Sequence, residues 1–215
     1  MEPSPGKRDR PRRRRWRRWV LLAAAVVVLP PLGYYGWQRG VRTNFGVVVE
    51  GKVYRSAQPD ADEIAAWSRR YGLKTIINLR GRQDDALDAR NRSAAQQAGV
   101  RIVDVRMKAS SMPSRQLLAE LIEAIEQAET PVLLHCRDGA DRTGVAAVMA
   151  AMAVGGQDYR QARGQLSLRY FHIPRGDDRI DQVMSRYEDY CRRKGLDTDG
   201  WPQFRSWALN KYAGP

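Results

Sequence analysis

Residues 131–156, "PVLLHCRDGADRTGVAAVMAAMAVGG", limit the folds open to this chain more than any other stretch. An apolar run ends in His135–Cys136, a polar turn containing Gly139 follows, and a small-residue helical pattern closes at Gly155–Gly156. The first run is short and sharply bounded, as a fully buried strand is. A strand, a tight loop and a helix make half of a parallel βαβ unit. Such a strand needs neighbours on both sides and helices over both faces.

The rest of the chain alternates in the same way. "FGVVVEGKVYRSAQP" reads as two short strands around Glu50–Gly51, ending at Pro59. "DADEIAAWSRRYG" has Ile64, Trp67 and Tyr71 at helical spacing, acids at its start and Gly72 as a stop signal. "KTIINLR" has the composition of a buried strand, residues 86–98 read as a helix ending at Gly99, and "VRIVDVRM" as the next strand. A further helix begins after Ser114, a candidate N-cap, with Leu117, Leu118, Leu121, Ile122 and Ile125 on one face. Helices are expected near 158–170, 178–193 and 202–212. The pattern predicts one α/β domain, a central, mostly parallel sheet flanked by helices.

The formal net charge of +13 is concentrated at the N-terminus. Residues 1–42 hold eleven Lys/Arg against two acids, and residues 43–215 hold 26 against 22. The folded part is only mildly basic, and nucleic acid is not an expected partner. Nine Lys/Arg lie within residues 7–18, and no charge follows from Trp19 to Trp37. As a helix that uncharged segment is roughly 28 Å long. Trp16 and Trp19 at one end, and Tyr34, Tyr35 and Trp37 at the other, suit the two membrane interfaces. Pro30–Pro31 shorten the strictly apolar core to Val20–Leu29, the size of a signal-peptide core, but no small-residue cleavage site follows. The expected organisation is a basic cytoplasmic tail at 1–18, a transmembrane signal anchor at 19–37, a connector at 38–44 and the folded α/β domain at 45–215. The positive-inside rule then puts the domain on the periplasmic or extracytoplasmic side of a single-pass membrane protein.

The chemistry sits in the turn after Cys136. Ligands of open α/β sheets bind outside the carboxyl ends of the strands. A loop there can turn its N–H groups inward, and the helix after it adds the positive end of its dipole, which together make an anion cradle. Arg137, Asp138, Gly139, Ala140, Asp141 and Arg142 are therefore the candidate substrate-binding residues. Arg142 can grip two phosphate oxygens with its planar fork. The same field favours a thiolate at Cys136, placed as an in-line nucleophile that forms a phosphocysteine. The Thr143 hydroxyl can hydrogen-bond the sulfur and improve it as a leaving group. His135 either shapes the loop through hydrogen bonds or is a satisfied buried side chain.

"HCRDGADRTG" resembles the HC-x5-R-[ST] signature of the cysteine-dependent protein tyrosine phosphatase superfamily. With "VYRSAQP" and "TIINLR" upstream, the chain resembles the compact dual-specificity-like phosphatases of bacteria over about residues 45–170. The resemblance implies a protein-tyrosine-phosphatase-like three-layer domain that hydrolyses phosphomonoesters without metal or cofactor. It also implies a general acid. Many relatives carry an aspartate on the loop before the signature strand, whereas "MKASSMPS" at 107–114 has no acid and Asp104 reads as part of the strand. The spacing C-x-D-x-x-D-R is similar to that of myotubularin-type lipid phosphatases, in which a loop aspartate has been proposed as the acid. Asp141, with Asp138 second, is the expected acid here. A carboxyl beside a bound phosphate holds its proton more tightly. The competing role for either aspartate is to pair with Arg142 or cap the next helix.

Other residues are weaker candidates. Arg55 and Gln58 match a family motif near the catalytic loop and read as turn-forming. Arg80, Arg82 and Lys108 read as solvated loop cations able to meet a second phosphate, and Asp177 and Asp178 as helix-start residues. Cys191 has no partner motif, two cysteines do not read as a disulfide framework, and nothing has metal-ligand spacing. The expected partners are a phosphorylated protein, a phosphoinositide or an inositol phosphate, together with a membrane. The alternative is a catalytically weak pseudophosphatase that binds phosphate ligands as a membrane scaffold.

Overall fold

The structure is a computed structural model and describes residues 11–40, 43–174, 176 and 179–215. Asp177 and Asp178, and the first ten residues of the basic tail, lie outside the described residues. The chain divides into two compact units between Val41 and Arg42. The first holds one helix, α1 (Pro11–Gly40), which continues through Pro30 and Pro31. Within it, Arg18–Trp37 is a 20-residue stretch of mean hydropathy 1.7 with 0% of it buried. By length and composition it could cross a membrane, a test that a signal sequence also passes.

The second unit is a mixed α/β domain. In chain order it comprises β1 (Gly46–Val49), β2 (Val53–Ser56), α2 (Ala61–Tyr71), β3 (Thr75–Asn78), α3 (Ala86–Gln97), β4 (Arg101–Asp104), α4 (Arg115–Glu126), β5 (Val132–His135), α5 (Asp141–Ala153), α6 (Tyr159–Ala162), α7 (Gln182–Lys194) and α8 (Trp201–Asn210). The sheet order is β1-β2-β5-β3-β4. Only β1, an edge strand, runs antiparallel to its neighbour.

Side-chain alternation along the central strands builds the layers. Tyr54, Ile76 and Leu133 face one way, onto Ile64 of α2 and Ala95 of α3. Val53, Ile77, Val132 and Leu134 face the other way, onto the larger core with α4, α5, α7 and α8. α5 is buried on all sides from Thr143 to Met152, which its alanines allow and which an amphipathic helix could not tolerate. The caps follow from the sequence. Asp60 and Glu63 form a reciprocal capping box on α2, and the Ser114 hydroxyl accepts from the N–H of Leu117 on α4.

Register places the site. Ser56, His135 and Asn78 stand level across β2, β5 and β3, and Asp104 stands level with Asn78. All four parallel strands thus end in one row. Cys136 emerges at its centre, between the loops that follow β2 and β3.

The helix expected near 158–170 is not continuous. α6 spans a single turn, and two 3-10 turns follow at Arg163–Gln165 and Leu168–Tyr170. The carbonyl of Gln165 is drawn instead to the buried guanidinium of Arg55 at 2.5 Å, which takes it out of a helical ladder.

Candidate active site

Residues 136–140 close a tight loop between β5 and α5, and the carbonyls of Arg137, Asp138, Gly139 and Ala140 are held on its outside. The carbonyl of Arg137 accepts from the N–H of Gln58 at 3.2 Å. That of Asp138 accepts from Asn44 Nδ2 at 3.0 Å, that of Gly139 from Arg55 Nη2 at 2.7 Å, and that of Ala140 from the N–H of Gly144 at 2.8 Å. In a trans peptide the next N–H points away from the carbonyl. The N–H groups of Asp138, Gly139, Ala140 and Asp141 are therefore turned toward the hollow, a nest for an anion at a helix N-terminus. The N–H of Gly139 already donates to the Cys136 sulfur at 3.3 Å. Gly139 has φ +70°, and a Cβ there would lie 2.7 Å from the Ala57 nitrogen and 2.8 Å from the Ser56 carbonyl carbon. Only glycine allows this approach of loop to strand.

Arg55 is the largest fully buried side chain of the domain. Its guanidinium donates to Gly139 and Gln165 and lies 3.7 Å from the centre of the Tyr170 ring. Burial pushes its pKa down to about 10, against the attraction of Tyr170 and Cys136, so it stays cationic at neutral pH. It sits behind the loop as a fixed positive charge. Gln58 receives Arg80 Nη1 on its side-chain oxygen at 3.0 Å, so Arg80 is part of the scaffold, while Arg82, Lys108 and Arg137 are exposed.

Cys136 is buried at the base of the loop. Arg142 donates to the Met107 carbonyl at 3.3 Å, which leaves its Nε buried without a partner. The Thr143 hydroxyl is buried and makes no hydrogen bond, so the contact to sulfur expected from the sequence is not formed in this state. His135 is buried and its Nδ1 has no partner. Burial pushes its pKa down to about 4, so the ring is neutral. Asp104 is tied to Arg92 and Asn78 at 2.9 Å each. Cys191 is buried in α7, far along the chain from the loop.

Asp138 is half-buried in the loop. Asp141 opens α5, with one carboxylate oxygen 3.0 Å from His172 Nδ1 and the other accepting from Arg179 at 2.5 Å. Burial alone would raise its pKa, but the hydrogen bonds and charges of His172 and Arg179 outweigh it and hold the carboxyl below its ordinary value. In the free domain Asp141 is thus ionised, the reverse of the raised value expected beside a bound phosphate. Asn44, Gln165, Tyr170, His172, Arg179 and Asp181 carry no motif and escaped the reading of the sequence. One signal was available: the chain has two histidines, and both lie at this loop. Among the described residues, no His, Cys, Asp and Glu are grouped to hold a metal ion.

A family model described as a DSP-PTPase phosphatase fused to NAD+ kinase matches residues 42–182. The chain belongs to this phosphatase family. Its phosphatase domain is of the cysteine-dependent type, and Cys136 stands at the cysteine of the HC-x5-R pattern. The dual specificity protein phosphatase TpbA of Pseudomonas aeruginosa is 32% identical over 150 residues, covering 69% of this chain. The match spans 61% of that relative's length. The crystal structure of P. aeruginosa TpbA in complex with phosphotyrosine aligns at a TM-score of 0.50 and 25% identity, over 79% of this chain and 92% of that one. The core catalytic domain of the PP-IP phosphatase SIW14 from S. cerevisiae, in complex with citrate, aligns at 0.54 and 20% identity, over 71% and 93%. The latter shares the fold of the phosphatase domain.

Proposed function

We propose that this chain is a metal-independent phosphomonoester hydrolase that works through a phosphocysteine and is anchored to a membrane by α1. The observation that carries the reading is the loop itself, with its carbonyls tied back, its N–H groups turned inward and the Cys136 sulfur at its base. In this reading the Cys136 thiolate attacks phosphorus while Arg142 and the N–H groups of residues 138–141 hold the non-bridging oxygens. Asp141 protonates the leaving oxygen. A dianion bound beside its carboxylate raises its pKa and lets it take up the proton it delivers. The unpartnered Thr143 hydroxyl is assigned to the sulfur as water cleaves the intermediate.

The substrate is a phosphorylated protein, a phosphoinositide or an inositol phosphate, whose shared chemistry is the monoester dianion. The phosphotyrosine complex of TpbA supports the first, and the exposed Arg82, Lys108 and Arg137 suit a ligand with more than one phosphate. In this reading the basic residues before the span keep the N-terminus in the cytoplasm, with the catalytic domain on the far side.

The test is turnover of p-nitrophenyl phosphate, followed by phosphotyrosine peptides, phosphoinositides and inositol phosphates as a panel. Cys136→Ser should abolish turnover, and phosphate binding without turnover in the unaltered protein would make it a scaffold. Asp141→Asn should lower turnover of poor leaving groups by at least ~10-fold. The same loss in Asp138→Asn alone would move the acid to Asp138.

A further inference from the structure

His172 reaches Asp141 from a segment that no motif marks. Phe171, in a left-handed conformation at φ 59°, ends the second 3-10 turn and delivers His172 beneath the start of α5. The His172 side chain is 3% exposed. Its Nδ1 faces Asp141 Oδ1 at 3.0 Å, and its Nε2 lies 3.7 Å from Asp181 Oδ2. Asp181 occupies the N-cap position of α7 yet makes no capping bond, and its Oδ1 is buried without a partner. Asp181 thus does not serve the helix it precedes. With Asp141 as acceptor, Nδ1 is the donor. Arg179 takes the second oxygen of Asp141, so the carboxyl is fixed in position and in plane.

We propose that His172, backed by Asp181, is the positioning residue for Asp141 in the phosphatase reaction. It holds the carboxyl at the mouth of the loop and receives the charge left there once the leaving group has taken its proton. This rests on Asp141 as the acid. In the first step the sulfur–phosphorus bond forms and the bond from phosphorus to the leaving oxygen breaks. That oxygen takes the proton of Asp141, and the new carboxylate is met by His172 Nδ1–H and Arg179. In the second step a water oxygen bonds phosphorus, its proton passes to Asp141, and the sulfur–phosphorus bond breaks to return the thiolate. The role of His172 therefore grows with the leaving group's need for a proton.

The experiment uses the full-length chain in detergent, with phenyl phosphate (a poor leaving group) and p-nitrophenyl phosphate (a good one). His172→Ala should lower kcat on phenyl phosphate by about 10-fold or more, leave KM within about 2-fold, and cost less than about 3-fold on p-nitrophenyl phosphate. His172→Asn, whose amide can donate from the place of Nδ1, should recover most of the loss, and His172→Gln, which reaches only the place of Nε2, should not. In the Asp141→Asn background, His172→Ala should add no further loss. Equal losses on both substrates, a Gln variant as active as the Asn variant, or additive losses would each overturn the proposal in favour of a packing role. If Asp141→Asn slows phenyl phosphate and His172→Ala does not, the His172 assignment alone falls. If Asp141→Asn has no effect, the Asp141 assignment fails first and takes this one with it.

Discussion

At the scale of single residues, His135 shows how burial at the site links to pH. Its ring is sealed at the end of β5, and burial pushes its pKa from 6.5 down to about 4. Above pH 6.5 the ring is neutral in both folded and unfolded chains and contributes nothing to the pH dependence. Between 6.5 and 4 the unfolded chain binds the proton and the folded one does not, so stability falls as pH falls, by on the order of 3 kcal/mol across the window. Asp141, held below its ordinary value, acts at lower pH, where its stabilisation is lost as the carboxyl is protonated. Urea unfolding at pH 7, 6 and 5 should show a declining midpoint, and His135→Gln should flatten that decline. A slope unchanged by the substitution would assign it to other groups. At this scale the contiguous loop, 136–143, was legible because one strand, one turn and one helix bring its groups together. Asn44, His172 and Arg179 were not, because they approach from loops that only the folded chain brings near.

The elements meet at Arg55. From β2 it binds the phosphate loop at Gly139 and the 3-10 turn at Gln165, and Tyr170 covers it. Arg55→Met keeps much of the volume but leaves two carbonyls without their donor, an expected cost of about 2–4 kcal/mol. Turnover should fall further than the fraction unfolded explains, because the Gly139 carbonyl is then released and the loop loses its inward N–H arrangement. Arg55→Lys should restore part of the stability but not the double contact. Denaturation midpoints set beside kcat test this, and a variant that is destabilised yet fully active would sink it. Composition and periodicity were enough to find the strands β1 to β5 and the helices α2 to α5, α7 and α8. The helix expected near 158–170 is broken for a physical reason. Local propensity there competes with a buried cation that takes the Gln165 carbonyl, and with Leu166, which packs directly against Gly144 in the space a Cβ would fill. Neither partner is local in sequence.

At the scale of the whole molecule, the two units carry separate tasks in the proposed function. Removal of residues 1–41 should shift the protein from the membrane fraction to the soluble one while kcat/KM for p-nitrophenyl phosphate stays within about 2-fold, as for a domain with its own core. Retention of the shortened chain on membranes would show that the phosphatase domain itself binds them. Protease added outside spheroplasts should degrade the catalytic domain if the basic flank sets the topology. The sequence by itself determined the α/β alternation, the apolar helix and the nucleophile loop, because each is written in neighbouring residues with a fixed period or spacing. Tertiary structure alone decided how that loop is held open and what state Asp141 is in. The carbonyls are tied back by Asn44, Arg55 and Gln58 from other elements, and the Asp141 carboxyl answers to His172 and Arg179, side chains more than thirty residues away that reach it only in the folded domain.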